Sequence, residues 1–136
     1  MTEYRRVILE SPFAAPTTAG VRRHIAYARA CIRDSLDRDE APFASHLLYT
    51  QRGILNDRNP DERKRGIDAG LAWGTEADLT VVYIDLGVTQ GMLQGIERAM
   101  TEGRPVEQRS LPDWADNPRQ VLKTGAANED TPPEAA

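Results

Sequence analysis

Several residues that could bind a ligand or catalyse a reaction directly follow short apolar runs of this sequence. Asp85 comes after the run LTVVYI (79–84), and Glu10 closes the segment RRVILE (5–10), with Ser11 next to it. A carboxylate at the end of a buried strand can act as a base that activates water, or it can bind sugar hydroxyls. Asp85 has a structural alternative, in which it bonds only to backbone amides of the following turn. We therefore take Asp85 as the first catalytic candidate and Glu10 as the second.

The residues after Asp85 predict a tight turn that opens a helix. Thr89 suits the N-cap position, between Gly87 and Gly91, and the amides near Met92 lack carbonyl partners inside the helix. Such amides bind a phosphate group or a sugar hydroxyl. An ordinary capped turn would explain the same residues, so both interpretations stay open. The ligand-binding candidates of this turn are Gly87, Thr89, Gly91 and Met92.

Ser11, Pro12, Phe13 and His46 form a second set of candidate ligand-binding residues. His46 is one of only two histidines and no second metal ligand stands out, so we expect hydrogen bonding at a pocket rim rather than a metal site. Ser11 could be a nucleophile in principle. The sequence lacks a nucleophile elbow and the order of a serine–histidine–acid triad, so serine hydrolysis is not predicted.

The charged run 61–65 (DERKR) is typical of a solvated helix start with intrahelical ion pairs. Arg63 could still reach an anionic ligand.

The apolar pattern predicts the elements that would position these residues. Strands are expected at 5–10, 42–49, 79–84 and 104–110. Helices are expected at 18–37, after an Asn59 N-cap, and at 89–102. Val21, Ile25, Ala28, Ile32 and Leu36 should face inward on the first helix, Ile67, Leu71 and Trp73 on the second, and Met92, Ile96 and Ala99 on the third.

The order βαβαβαβ predicts an α/β fold, a Rossmann-like three-layer domain with a mostly parallel sheet of four to five strands. In such a sheet, ligands bind outside the carboxyl ends of the strands, beside a switch in strand order. The loops expected to meet there are 10–13, 45–46, 85–91 and 109–110.

Length and composition narrow the class of protein. A chain of 136 residues predicts one domain over 1–111, followed by an acidic, Pro- and Ala-rich tail (112–136), disordered over 128–136. Trp114 could anchor the start of the tail on the domain or on another subunit. A net charge of −4 argues against duplex nucleic acid as a partner.

No apolar run could cross a membrane, and the start of the chain does not resemble a signal peptide. A cytoplasmic protein is therefore expected. Cys31, the single cysteine, is expected to be buried and inert.

Four segments, taken in order, resemble the nucleoside 2-deoxyribosyltransferase-like superfamily, in particular a largely uncharacterised phage and bacterial branch. They are VILESPFA, APFASHLLYTQ, LNDRNPDERKRGIDAGLAW and DLGVTQGM…GIERAMTEGRPVE, and together they span roughly residues 5 to 111. The resemblance implies a Rossmann-like fold, a nucleoside or nucleotide ligand at the strand ends, and a homo-oligomer. No cofactor is expected.

The resemblance also implies a mechanism, from which this chain departs. The transferases attack the sugar with a glutamate of the third helix, eight residues before the glycine of a closing turn, and the corresponding residue here is Gly95. Glu97 lies two residues further, about 200° around the helix, and should point away. A local register shift would be needed to make Glu97 the nucleophile. His24 also stands where relatives often have an asparagine.

Three functional hypotheses follow. The first is an enzyme, an N-glycosidase or deoxyribosyltransferase, that uses a substituted carboxylate, with Asp85, Glu10 and Glu97 as candidates in that order. The second is a catalytically inactive module that senses or sequesters a nucleotide-type ligand. The third is a structural or assembly protein with a vestigial site.

Overall fold

The structure is a computed structural model that describes residues 3–115. Its strands are β1 (Arg5–Glu10), β2 (Glu40–Phe43), β3 (Leu79–Tyr83) and β4 (Val106–Arg109). Its helices are α1 (Thr18–Asp37), α2 (Ser45–Leu48), α3 (Pro60–Gly74), α4 (Gln90–Thr101) and α5 (Pro112–Ala115). The strands form one four-stranded sheet, all parallel, in the order β2-β1-β3-β4. This confirms the predicted Rossmann-like α/β fold with three layers.

The strand order creates a crevice between β1 and β3. The chain leaves β1 through α1 towards β2 on one side, whereas β3 continues through α4 towards β4 on the other. Val7 pairs with Leu79 and Glu10 pairs with Val82, so the carboxyl ends of the two strands lie side by side. Ligands of parallel α/β sheets bind at such a switch point.

The two faces of the sheet differ in chemistry. Val7, Leu9, Val81 and Tyr83 join Tyr27 and Cys31 of α1 in the main apolar core. Because side chains alternate along a strand, Ile8, Glu10, Thr80 and Val82 point to the opposite face, where α3 contacts α4. Glu10 therefore enters the layer between the sheet and these two helices.

The predicted bounds of β1 and α1 are confirmed, as is the Asn59 cap, whose side chain accepts hydrogen bonds from Asp61 and Glu62 amides. Glu62 bonds the amide of Asn56 rather than that of the cap.

The strand predicted over 42–49 is wrong beyond Phe43, because residues 45–48 form α2. Pro42 supplies no amide to a sheet ladder and lies on the edge strand β2, where proline is tolerated.

Two burial predictions are also wrong. Trp73 is 58% exposed, since it lies against Phe43 at the sheet edge (ring centroids 5.9 Å apart) rather than under the sheet. Leu36 is 49% exposed, because the inward face of α1 is rotated towards Tyr27, Cys31 and Ser35. The buried Tyr27 hydroxyl is tolerated because it bonds the Asp85 carboxylate at 2.7 Å.

A buried ion pair lies on the α1 side of the sheet. Arg109 donates to both oxygens of Glu40, at 2.8 and 2.7 Å, and both side chains are 3% exposed. Ser35 and Arg5 also donate to Glu40. These hydrogen bonds, among which those from Arg109 have the largest effect, lower the pKa of Glu40 to about 2.

Trp114 packs edge-on against Tyr27 with ring centroids 5.0 Å apart. It therefore anchors the segment after β4 on the domain, one of the two places predicted for it. The tail from 116, including the disorder predicted for 128–136, lies outside the described residues. Within residues 3–115, no helix combines the length and apolarity needed to cross a membrane.

Candidate functional site

A cavity of about 270 Å³ opens at the carboxyl end of β1 and the start of α4, between the sheet and helices α2, α3 and α4. This volume lies near the lower end of the range for small-molecule sites. Seven of the sequence-predicted residues line it: Glu10, Ser11, Phe13, His46, Thr89, Gly91 and Met92.

Glu10 fills the space above Gly95. A Cβ atom on Gly95 would overlap Oε2 of Glu10 and lie 2.5 Å from its Cδ. The present position of the Glu10 carboxyl group therefore leaves room only for glycine at position 95. A carboxyl group delivered from a strand thus lies directly against α4 at Gly95.

The Glu10 carboxyl group has few polar neighbours. No side chain or amide of residues 3–115 donates a hydrogen bond to it, and Arg104 is the charged group that acts on it. Burial dominates and raises the pKa of Glu10 to about 8, while the positive charge of Arg104 opposes that rise. At neutral pH the group is therefore mainly a neutral acid.

Arg104 is held in place by its own hydrogen bonds. Its guanidinium donates to the Thr80 hydroxyl at 2.9 Å, to the Gly74 carbonyl at 2.7 Å and to Glu102 at 2.6 Å. A side chain bonded in this way supplies a fixed positive charge beside Glu10. This role was not predicted, because Arg104 was expected to begin a strand and its bonding partners Thr80 and Gly74 are distant in the chain.

Ser11 and His46 meet inside the cavity wall. The Ser11 hydroxyl lies 2.7 Å from Nε2 of His46, and Ser11 is 3% exposed. Burial, with the nearby His24, lowers the pKa of His46 to about 4, so its imidazole is neutral at pH 7. Among residues 3–115 no carboxylate bonds this imidazole, so the pair lacks the acid of a catalytic triad. The two side chains can donate to or accept from a polar ligand.

The start of α4 forms the polar end of the cavity. Thr89 caps the helix by accepting from the Met92 amide at 3.3 Å, and the amides of Gln90 and Gly91 belong to the first turn, where a helix provides no carbonyl partner. Arg63 of α3 lines the same region and donates to Asp57 at 2.7 Å. Arg63, which the charge run indicated as mostly solvated, therefore faces the site.

Gly66, Gly70 and Gly74 line the cavity along one face of α3. Their spacing of four residues was visible in the sequence and is the signal that could have identified this face. A Cβ on Gly70 would lie 2.6 Å from Cβ of Ser45, and one on Gly74 would lie 3.1 Å from the Arg104 guanidinium. These glycines let α2 and Arg104 approach α3 closely.

The structure does not bring the other candidates to this cavity. Asp85 accepts hydrogen bonds from Tyr27, Ser110 and the Leu111 amide, which ties the end of β3 to α1 and to the segment after β4. Glu97 is exposed and lines a shallow groove between α3 and α4. Pro12 is buried beside Ser11, and Gly87 adopts a positive φ of 93° in the turn after β3. Neither of them lines the cavity.

Within the part of the chain that the structure describes, no three His, Cys, Asp or Glu side chains are arranged to hold a metal ion.

The buried carboxyl group predicts a pH-dependent stability. The pKa of Glu10 is about 8 in the folded protein against 4.5 ordinarily, so between these values only the folded state holds the proton. The free energy of unfolding should therefore fall as pH rises from 4.5 to 8, by about 1 kcal/mol per pH unit, relative to Glu10→Gln. Urea unfolding of both proteins at several pH values measures this difference.

His46→Gln is the matched control for that experiment. The folded pKa of His46 lies near 4, below its ordinary 6.5, so its contribution is present above pH 6.5 and is lost as pH falls towards 4. The two variants should differ from wild type with opposite pH slopes. A Glu10→Gln difference that does not change with pH would contradict the burial of an unpaired carboxyl group.

Comparison with known proteins gives a family without an assigned activity. A family model described as Domain of unknown function (DUF7768) matches residues 5–109, which include all the elements from β1 to β4. No curated protein and no solved structure matches the chain.

Proposed function

The chain belongs to this family of unknown function, whose description names no activity. From the site itself, we propose that the protein binds a nucleoside or nucleotide and cleaves its N-glycosidic bond or transfers its sugar. Glu10 is the carboxyl group of that reaction. Membership of the nucleoside 2-deoxyribosyltransferase-like superfamily and a homo-oligomeric assembly, both implied by the resemblance, are parts of the same proposal.

The observation that carries the proposal is the overlap of Glu10 with the side-chain space of Gly95. Cleavage of an N-glycosidic bond needs a carboxyl group close to the sugar, because positive charge develops on the anomeric carbon. The resemblance assigns that task to a residue at position 95, and Glu10 brings the same chemical group next to that position.

The rest of the cavity supports a nucleoside-type ligand. Phe13, Tyr49 and Met92 offer apolar and aromatic surface for a base, while Ser11, His46 and the start of α4 offer polar groups for a sugar or a phosphate. Pockets with mostly apolar walls and a few convergent polar groups are typical of small-molecule sites. Asp85, the first candidate from the sequence, has no role in this proposal because its oxygens are bonded outside the cavity.

One observation favours the second hypothesis, a binding module without chemistry. A carboxyl group with a pKa of about 8 is mainly neutral at pH 7 and is therefore a poor nucleophile towards the sugar. A protein that only senses or sequesters a nucleotide would tolerate such a group, which hydrogen-bonds as a donor.

A ligand panel tests the proposal. Purified full-length protein is incubated with ribo- and deoxyribonucleosides and their 5′-monophosphates, free base is followed by chromatography, and thermal stabilisation is measured in parallel. We expect base release from at least one compound, abolished in Glu10→Ala and retained in Asp85→Asn once that variant is shown to be folded. Stabilisation without base release would support the binding module, and neither effect with any compound would contradict the proposed function.

A further inference from the structure

We infer that Glu10 is the acid of this site: it presents a proton, rather than a negative charge, to the base of the bound nucleoside and gives that proton to the base as it leaves. The inference rests on the proposed function and deepens it, because it selects hydrolysis over sugar transfer through a covalent ester. It also defines the ligand, whose base must carry a nitrogen or oxygen that accepts a proton.

The position of Glu10 makes a permanent negative charge unfavourable. The carboxyl group lies between β1 and α4, against a glycine that contributes neither a side chain nor a charge. Glu10 is half-buried in the cavity wall, no donor among residues 3–115 bonds it, and a carboxylate that is partly removed from water without compensating hydrogen bonds is unfavourable. A protonated group has one O–H bond to donate, and the cavity is the place where an acceptor can reach it.

The charged groups around the cavity are consistent with a Glu10 that holds its proton in the free protein and releases it during the reaction. From α2, His46 is neutral, and from α3, Arg63 is already paired with Asp57. Arg104, before β4, is the charge that acts on Glu10, and it favours the ionised form. Burial keeps the proton on Glu10 in the free protein, while Arg104 stabilises the carboxylate once the proton has moved to the base. The titratable or charged residues that line the cavity are Glu10, His46, Tyr49, Asp57, Glu62, Arg63 and Arg104.

The step balances with water as the co-reactant. The bond between the anomeric carbon and the base nitrogen breaks, and its electron pair goes to the base, which takes the proton of Glu10 on an acceptor atom. The oxygen of a water molecule bonds the anomeric carbon and loses a proton to the Glu10 carboxylate. The products are the neutral base and the free sugar, and Glu10 is again protonated.

The experiment compares the wild-type protein with Glu10→Gln, which keeps the size and a donor but cannot give up a proton. The probes are 2′-deoxyadenosine and its 7-deaza and 3-deaza analogues, in each of which one acceptor nitrogen of the base is replaced by C–H. Base release is measured from pH 5 to 10, affinity by calorimetry, and mass spectrometry looks for a sugar ester on the protein.

We expect the release of adenine by the wild-type protein to fall as pH rises through about 8. One of the two deaza analogues should not be cleaved, because it lacks the nitrogen that accepts the proton. Glu10→Gln should release base at least ~100-fold more slowly while it binds the nucleoside with similar affinity. Release unchanged in Glu10→Gln, or a sugar ester trapped on Glu10, would overturn the inference, and the ester would leave the proposed function intact.

A protein that binds none of these nucleosides would contradict the proposed function instead. In that case the state of Glu10 is decided without a ligand, by the pH dependence of stability described for Glu10→Gln. A change in stability centred near pH 8 would support a protonated Glu10, whose proton acceptor would then be a ligand other than these nucleosides. If stability does not change near pH 8, the inference is wrong.

Discussion

Arg109→Met is expected to lower the free energy of unfolding by about 3–5 kcal/mol, the largest effect of any single substitution that we consider. The guanidinium meets both oxygens of Glu40, and each side chain is 3% exposed. Removing one partner leaves Glu40 buried with only Ser35 and the partly exposed Arg5 as donors. Urea unfolding monitored by circular dichroism measures the loss.

Two controls separate the burial of this pair from its charge. Arg33→Met breaks an exposed pair with Asp37, whose side chains are 79% and 62% exposed, and should change stability by less than about 1 kcal/mol. The double variant Glu40→Leu/Arg109→Met removes both charges and should recover most of the loss. A single Arg109→Met variant as stable as wild type would contradict the buried pair.

Acid titration gives a second measurement of the same pair. Because Arg109 lowers the pKa of Glu40 from 4.5 to about 2, the pair stabilises the fold above pH 4.5, and this contribution is lost as pH falls towards 2. The acid-dependent loss should be smaller in Arg109→Met.

Gly95→Ala is expected to reduce base release, or ligand affinity in a pure binding protein, by at least ~100-fold with little change in stability. The new Cβ overlaps the Glu10 carboxyl group, which is the end of a flexible side chain and can turn away. Alanine is also favoured over glycine inside a helix by about 1 kcal/mol, which offsets the cost of that movement. Kinetics or calorimetry, together with thermal unfolding, measures the two effects separately.

Gly70→Ala is the matched control, because it adds the same methyl group to another cavity-lining helix. Its Cβ meets Cβ of Ser45, an atom fixed to the backbone, so stability should fall by about 1–3 kcal/mol. Ser45→Gly should restore it. If Gly95→Ala keeps full function, the overlap with Glu10 does not control the site.

The sequence predicted the fold well because the fold depends on local signals. The apolar run 79–84 and the Asn59 cap each act within a few residues, and each marks an element end near the observed one. The end of β2 was missed because an edge strand with a proline has a weak pattern of its own. The inward face of α1 was missed because Tyr27 and Ser35 are buried through partners distant in the chain.

The site was predicted only in outline. The parallel topology brings the strand ends together, so Ser11, His46 and Thr89 were predicted to lie at one edge of the sheet. All three line the cavity. The roles of Glu10 and Asp85 depend on three-dimensional contacts: Asp85 turns towards Tyr27, while Glu10 turns towards Gly95. The positions of Glu10 and Asp85 in the sequence do not predict this difference in side-chain direction. The Arg104 charge was missed for the same reason.

The contact between Glu10 and Gly95 also constrains how such a site can change during evolution. A glutamate at position 95 and the present Glu10 rotamer would occupy the same volume, so a chain with its carboxyl group on α4 cannot gain Glu10 in this position first. A chain that carries both residues must hold one of the two carboxyl groups turned away. Positions 10 and 95 are therefore coupled, and the effect of a substitution at one of them depends on the residue at the other.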